Sequence, residues 1–112
     1  MQLYEVELGY FAQKAIKKLQ KTCPSIKQDL KPILSSLEHN PNVGEPAKGS
    51  SDPQRSLRKV RVPCSDLRRG KRQSYRILHK TIGETVCVLF IFFREEGYPS
   101  QKLIKEALQE FT

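Results

Sequence analysis

The sequence predicts an α+β domain: a small, mostly antiparallel four-stranded sheet with an N-terminal helical hairpin and a C-terminal helix, in the order β-α-α-β-β-β-α. Two patterns carry this. Apolar residues recur at helical spacing between residues 10 and 37 and again after Ser100, while residues 57–93 hold alternating and then unbroken apolar runs. At 112 residues the chain is long enough for one core and too short for two, so residues 1–112 read as a single domain.

Residues 2–7 are short, β-prone and alternating, and form a first strand. Over residues 10–21, Phe11, Ala12, Ala15, Ile16 and Leu19 share one helical face, with Lys14, Lys17, Lys18 and Lys21 opposite. Pro24 ends that helix. Ile26, Leu30, Ile33, Leu34 and Leu37 then repeat at helical spacing up to Asn40-Pro41. Pro32 removes a backbone donor from this second helix, which predicts a kink or restart over residues 28–31. A three-residue connection would make the two helices an antiparallel hairpin. Residues 40–54, with Pro41, Gly44, Pro46, Gly49 and Pro53, read as a long loop.

Three strands follow. In residues 57–62, Arg58, Val60 and Val62 alternate with Leu57, Lys59 and Arg61. In residues 72–80, Arg72, Ser74 and Arg76 share one face, and Gln73, Tyr75, Ile77 and His79 the other. Residues 85–93 are almost wholly apolar, which predicts a strand buried on both sides. Ile82-Gly83-Glu84 supplies a hairpin turn. Ser100 is the expected N-cap of the final helix, whose apolar face is Leu103, Ile104, Ala107 and Leu108.

Composition narrows the function. Hydrophobic residues make up 38% and charged residues 29%, as in globular rather than disordered chains. No apolar run approaches the roughly 18–20 residues that span a bilayer. The acids near the N-terminus do not suit a signal peptide, so no membrane association and a cytoplasmic location are expected. Cys23, Cys64 and Cys87 are an odd number at wide spacing, matching neither a disulfide framework nor a zinc motif. Cys87 reads as a small buried hydrophobe, and Cys64, among basic neighbours, as a minor candidate for a reactive thiol.

The charge is concentrated. Residues 55–80 hold ten Lys/Arg against one acid, Asp66, a balance of 10 − 1 = +9, while the rest of the chain carries 10 − 11 = −1, together giving +8. A solvated face usually mixes signs, and this segment does not. A row of guanidinium groups on a stiff strand suits phosphate, because each planar fork can bind two oxygens at once. Nucleic acid is the leading partner class. His79 reads as a core histidine and His39 as a contact at a helix C-terminus. Phe90 and Phe92 share the parity of Arg94 and could stack on a base, though an apolar run of this kind is more often core.

The block Leu57-Arg-Lys-Val-Arg-Val62, then Arg69-Gly-Lys-Arg72, then Tyr75-Arg-Ile-Leu78, then an apolar strand ending in Arg94, resembles the RelE/ParE toxin superfamily. It is most similar to the RelE/HigB-like toxins of bacterial type II toxin–antitoxin systems, over almost the whole chain. The resemblance implies a ribosome-dependent endoribonuclease that cleaves mRNA by attack of a ribose 2′-hydroxyl on the adjacent phosphorus. It implies a protein antitoxin as partner and no cofactor or metal. By position, Arg76 corresponds to the arginine that stabilises the scissile phosphate, and Arg94 to one near the leaving group. Lys59 and Arg61 match a basic pair on the preceding strand. Like charges around Lys71 disfavour its protonation, so Lys59 or Lys71 is a conceivable base. Tyr98 is a weaker match to a C-terminal tyrosine that stacks on a base or assists proton transfer, and equally suits a plug at the sheet-to-helix junction. Arg58, Arg61, Arg69 and Arg72 are the expected RNA-binding residues. A ParE-like DNA gyrase inhibitor and a non-catalytic nucleic-acid-binding module of the same fold are the alternatives.

Overall fold

The computed structural model describes residues 3–47, 57–65 and 74–111. Strand β1 (Glu5–Leu8) leads into helices α1 (Tyr10–Leu19) and α2 (Ile26–His39). Strands β2 (Glu45–Pro46), β3 (Arg58–Pro63), β4 (Ser74–Ile82) and β5 (Thr85–Phe93) follow, then a 3-10 turn (Arg94–Glu96) and helix α3 (Gln101–Gln109). The class is the α+β one expected. The sheet has five strands rather than four, in the order β1-β5-β4-β3-β2, parallel between β1 and β5 and antiparallel elsewhere. The added strand is the two-residue β2, which lies within the stretch read as loop and pairs with Arg58 and Lys59.

Local rules account for most element ends. Ser100 caps α3, its hydroxyl oxygen accepting from the Leu103 amide at 3.2 Å. Gly83 takes φ +61° in the two-residue turn between Ile82 and Thr85, a conformation that favours glycine. Helix α2 runs through Pro32 without restarting, and the connection between α1 and α2 spans residues 20–25, longer than the three residues expected. The N-terminus of α1 has no cap from its own Gly9. The Glu110 carboxylate, at the end of α3, accepts from the Tyr10 amide instead, at 2.9 and 3.1 Å.

Two apolar layers sandwich the sheet. On one face Val60, Val62, Tyr75, Ile77, Val86, Val88 and Ile91 pack with Ala12, Ile16, Leu19, Ile26, Leu30 and Leu37 of α1 and α2. On the other, Leu78, Cys87, Leu89, Phe90 and Phe92 pack with Ile104 and Ala107 of α3. Residues 86–92 are buried throughout, as expected of a two-sided strand. A register shift opposite Leu78 and His79 leaves Leu89 without a direct partner. This bulge switches the parity of β5, so that Val86 and Val88 face α1 and α2 while Phe90 and Phe92 face α3.

The cysteines depart from expectation. Cys23 and Cys64 form a disulfide across a Cα–Cα distance of 6.2 Å, joining the α1–α2 connection to the residue after β3. Cys64 is therefore not the reactive thiol considered from sequence, and it is buried. The pairing was hidden because the residues lie 41 apart in the chain. Loop closure of this length is worth about 3–4 kcal/mol in the oxidised protein. Cys87 is free and buried as expected, and burial, then Glu7 and Glu110, push its thiol up to about 11.

Candidate nucleic-acid interface

Strand parity sorts the basic residues. Arg61 of β3 lies directly opposite Arg76 of β4, which in turn lies opposite Phe92 of β5. One step along the sheet, Lys59, Leu78 and Phe90 form a parallel row. Phe92, Leu78 and Phe90 belong to the layer under α3, so Lys59, Arg61 and Arg76 share that face. Like charges directly opposite one another on a sheet are destabilising. The Arg61–Arg76 pair thus has no stability rationale of its own and suits a polyanion that bridges both groups.

Tyr98 closes one side. Its ring lies 5.5 Å from that of Phe92, and Lys59 Nζ stands 5.8 Å from the Tyr98 ring centroid. Glu45 of β2 faces Lys59 across the sheet, with Oε1 3.6 Å from Nζ. Glu45 was not singled out from sequence, because it sits in a proline- and glycine-rich stretch with no periodicity. Phe92, considered from sequence as a surface for a base to stack on, is buried and packs against Tyr98. The close approach of β2 is fixed by Gly44, at φ +98°, where any Cβ would collide with the Lys59 carbonyl.

Arg94 leaves the end of β5 one residue beyond the Phe93–Tyr75 pair, as the exposed first residue of the 3-10 turn rather than a strand residue. Arg58 goes elsewhere. It lies on the α1–α2 face beside His79, its Nη2 donating to the Gly44 carbonyl at 2.9 Å, with Nε buried and unpartnered. Arg69, Lys71 and Arg72 lie outside the described residues.

The histidines take structural positions. His79 is fully buried, more so than its strand position suggested, with Nε2 3.0 Å from the Val43 carbonyl oxygen and Nδ1 unpartnered. Burial lowers its pKa, the Val43 hydrogen bond opposes that, and Arg58 adds to the lowering. His39 Nδ1 lies 3.0 Å from the Ser35 carbonyl oxygen at the end of α2. Phe90 stacks on Phe11 at 5.2 Å, which occupies it as core.

With this geometry in place, one solved structure is informative. The fold is RelE-like. The E. coli toxin RelE in its free state, a variant with two arginines replaced by alanine, superposes with a TM-score of 0.59 over 99% of this chain and 100% of that one, at 20% identity. No protein-family model matches the chain, and no curated protein sequence matches it significantly. No helix among the described residues is long and apolar enough to cross a membrane.

Proposed function

We propose that the chain is a single toxin domain over residues 1–112 that acts in the cytoplasm, inhibits translation by cleaving mRNA on the ribosome, and is held in check by an antitoxin. The observation that carries this is the alignment of Lys59, Arg61 and Arg76 on one face of a RelE-like sheet, flanked by Tyr98.

In this reading, Arg76 and Arg61 grip the scissile phosphate, and their paired guanidinium groups stabilise the extra negative charge of the pentavalent phosphorane. The 2′-hydroxyl loses its proton to a base, Lys59 or Lys71, as its oxygen bonds to phosphorus. The 5′-oxygen takes a proton from solvent water beside Arg94 as its bond to phosphorus breaks, leaving as a 5′-hydroxyl, and a cyclic phosphate remains on the upstream fragment. Tyr98 offers its exposed ring edge to a base beside the cleaved linkage. Arg69 and Arg72 add phosphate contacts on the basic segment. An acidic or helical antitoxin segment laid over the same face would block RNA by charge and by bulk.

The test is to induce the protein and map new mRNA 5′ ends. Cuts confined to translated messages, and lost with Arg76→Ala, are expected. Growth arrest with intact messages and DNA-damage signalling would instead favour the gyrase-inhibitor alternative.

A further inference from the structure

Outside the basic face, one cluster, with both sulfurs buried and its carboxylate half-buried, joins distant parts of the chain. Cys23, in the α1–α2 connection, Asp29, in α2, and Cys64, after β3, each present one ligand atom, and the three atoms lie within 4.8 Å of one another. Cys23 Sγ is 3.8 Å from Asp29 Oδ2. Asp29 is held in place by its neighbours. The Ser25 hydroxyl donates to Oδ2 at 2.7 Å, the Ser65 amide to Oδ2 at 3.1 Å, and the Ser65 hydroxyl to Oδ1 at 2.9 Å. Ser25 Oγ is also 3.6 Å from Cys23 Sγ and 3.9 Å from Cys64 Sγ.

In a thiol-reducing compartment the disulfide takes up two electrons and two protons from a dithiol reductant and becomes two thiols. We propose that the reduced pair is a zinc-class metal site, with Cys23 Sγ, Cys64 Sγ and one Asp29 carboxylate oxygen as protein ligands and a fourth position for water. Binding releases both thiol protons and leaves two thiolates on the ion. Tetrahedral zinc with bonds of about 2.3 Å to sulfur and about 2.0 Å to oxygen puts sulfur roughly 3.5 Å from the carboxylate oxygen and the two sulfurs roughly 3.8 Å apart. The Cys23–Asp29 spacing is already close to the first value. The 6.2 Å between the two Cα atoms lets side-chain rotation reach the second. Ser25 and Ser65 do what outer-shell partners do at such sites, fixing the carboxylate that ligates. Disulfide and metal would then be alternative ties at one point, both holding the α1–α2 connection to the residue after β3.

The probe is Co2+ added to the full chain after reduction with a phosphine, with Zn2+ as competitor. One Co2+ per chain is expected, with thiolate-to-cobalt charge-transfer absorption that Zn2+ displaces and that the oxidised protein never shows. Asp29→Asn should weaken Co2+ binding roughly tenfold or more, with an unchanged far-ultraviolet circular dichroism spectrum. In the unmodified reduced protein, Zn2+ should slow alkylation of Cys23 and Cys64 at least tenfold. No saturable Co2+ uptake, equal affinity in Asp29→Asn, or alkylation at the metal-free rate would each overturn the site.

Discussion

Arg58 and Lys59 are neighbours in the chain, and β3 sends them to opposite faces of the sheet. Arg58 lies against the α1–α2 layer, bonded to the Gly44 carbonyl and set beside His79. Lys59 faces the α3 side, within reach of Tyr98 and in the row next to Arg61 and Arg76. Charge density alone treats the two alike. Strand geometry makes one a structural cation, with its head hydrogen-bonded to the backbone, and sets the other on the α3 side, paired with the exposed Glu45 carboxylate and beside the Tyr98 ring. A basic strand therefore contributes only every second residue to an interface.

Replacing the two arginines separately tests that division most sharply. Arg76→Ala should cut mRNA cleavage by roughly 10²–10³-fold, the loss typical of removing one donor to a charged transition state, with thermal unfolding essentially unchanged. Arg58→Ala should do the reverse. It removes an exposed hydrogen bond made by a half-buried side chain, costing about 1 kcal/mol or less in a denaturant melt, and spares the cleavage rate. Equal loss of cleavage in both variants, at equal stability, would mean that the two faces act as one.

Gly44 links the faces, because its carbonyl holds Arg58 while its missing side chain lets β2 reach Lys59. Gly44→Ala must leave φ +98° or push the Lys59 backbone away, and should cost about 2 kcal/mol or more. It should also lower cleavage, since Lys59 and Glu45 would lose their shared register. A stability loss with cleavage per folded molecule unchanged would show that β2 does not position Lys59.

His79 gives the α1–α2 face a pH signature in the mildly acidic range. Its folded-state pKa lies below the ordinary 6.5, mainly through burial, so the unfolded chain binds the proton more readily. Stability is full above about pH 6.5 and falls as pH drops below it, by about 1.4 kcal/mol per unit at most, until the folded-state pKa is reached. The facing charged group is Arg58, and its repulsion of an imidazolium acts in the same direction. Melting temperature followed from pH 7.5 to 5 should show this slope, and His79→Gln should flatten it. An unchanged slope in that variant would place the titrating group elsewhere.

How much of this was legible depends on which rule each feature obeys. The helices, the Gly83 turn, the Ser100 cap and the opposed faces of β3 and β4 follow from local period and cap chemistry, and sequence carries those directly. Three features do not. The bulge at Leu89 breaks the period-two rule inside a uniformly apolar strand, where both faces look alike in sequence. Strand β2 is two residues long and owes its pairing to the close approach at Gly44, not to β propensity. The Cys23–Cys64 pair depends on α2 returning the chain to the end of β3, a tertiary fact that spacing does not encode. For the basic site, residue types and parity were readable and Tyr98 was a candidate, but its approach to Lys59 and the Glu45–Lys59 ion pair were not, since both bring together segments without a period.

The smallest predicted effect concerns a hydrogen-bonded contact that ties the two helical layers end to end. Glu110, just past α3, accepts from the Tyr10 amide at the start of α1 with both carboxylate oxygens. The acceptor belongs to the layer beside the basic site and the donor to the opposite layer. A carboxylate at a helix N-terminus satisfies an otherwise orphaned donor and complements the helix dipole. The group is exposed, so Glu110→Ala should cost only about 0.5–1 kcal/mol, read as a shift in denaturant midpoint at constant slope. Glu110→Gln keeps an acceptor and loses the charge, and should recover part of that loss. If α3 helps hold Tyr98 over Phe92, Glu110→Ala will also loosen the site side of the sheet, and amide exchange at residues 101–104 will rise along with that of Tyr10. Faster exchange at Tyr10 alone would mean that the cap serves α1 and that the two layers are coupled through the sheet core instead.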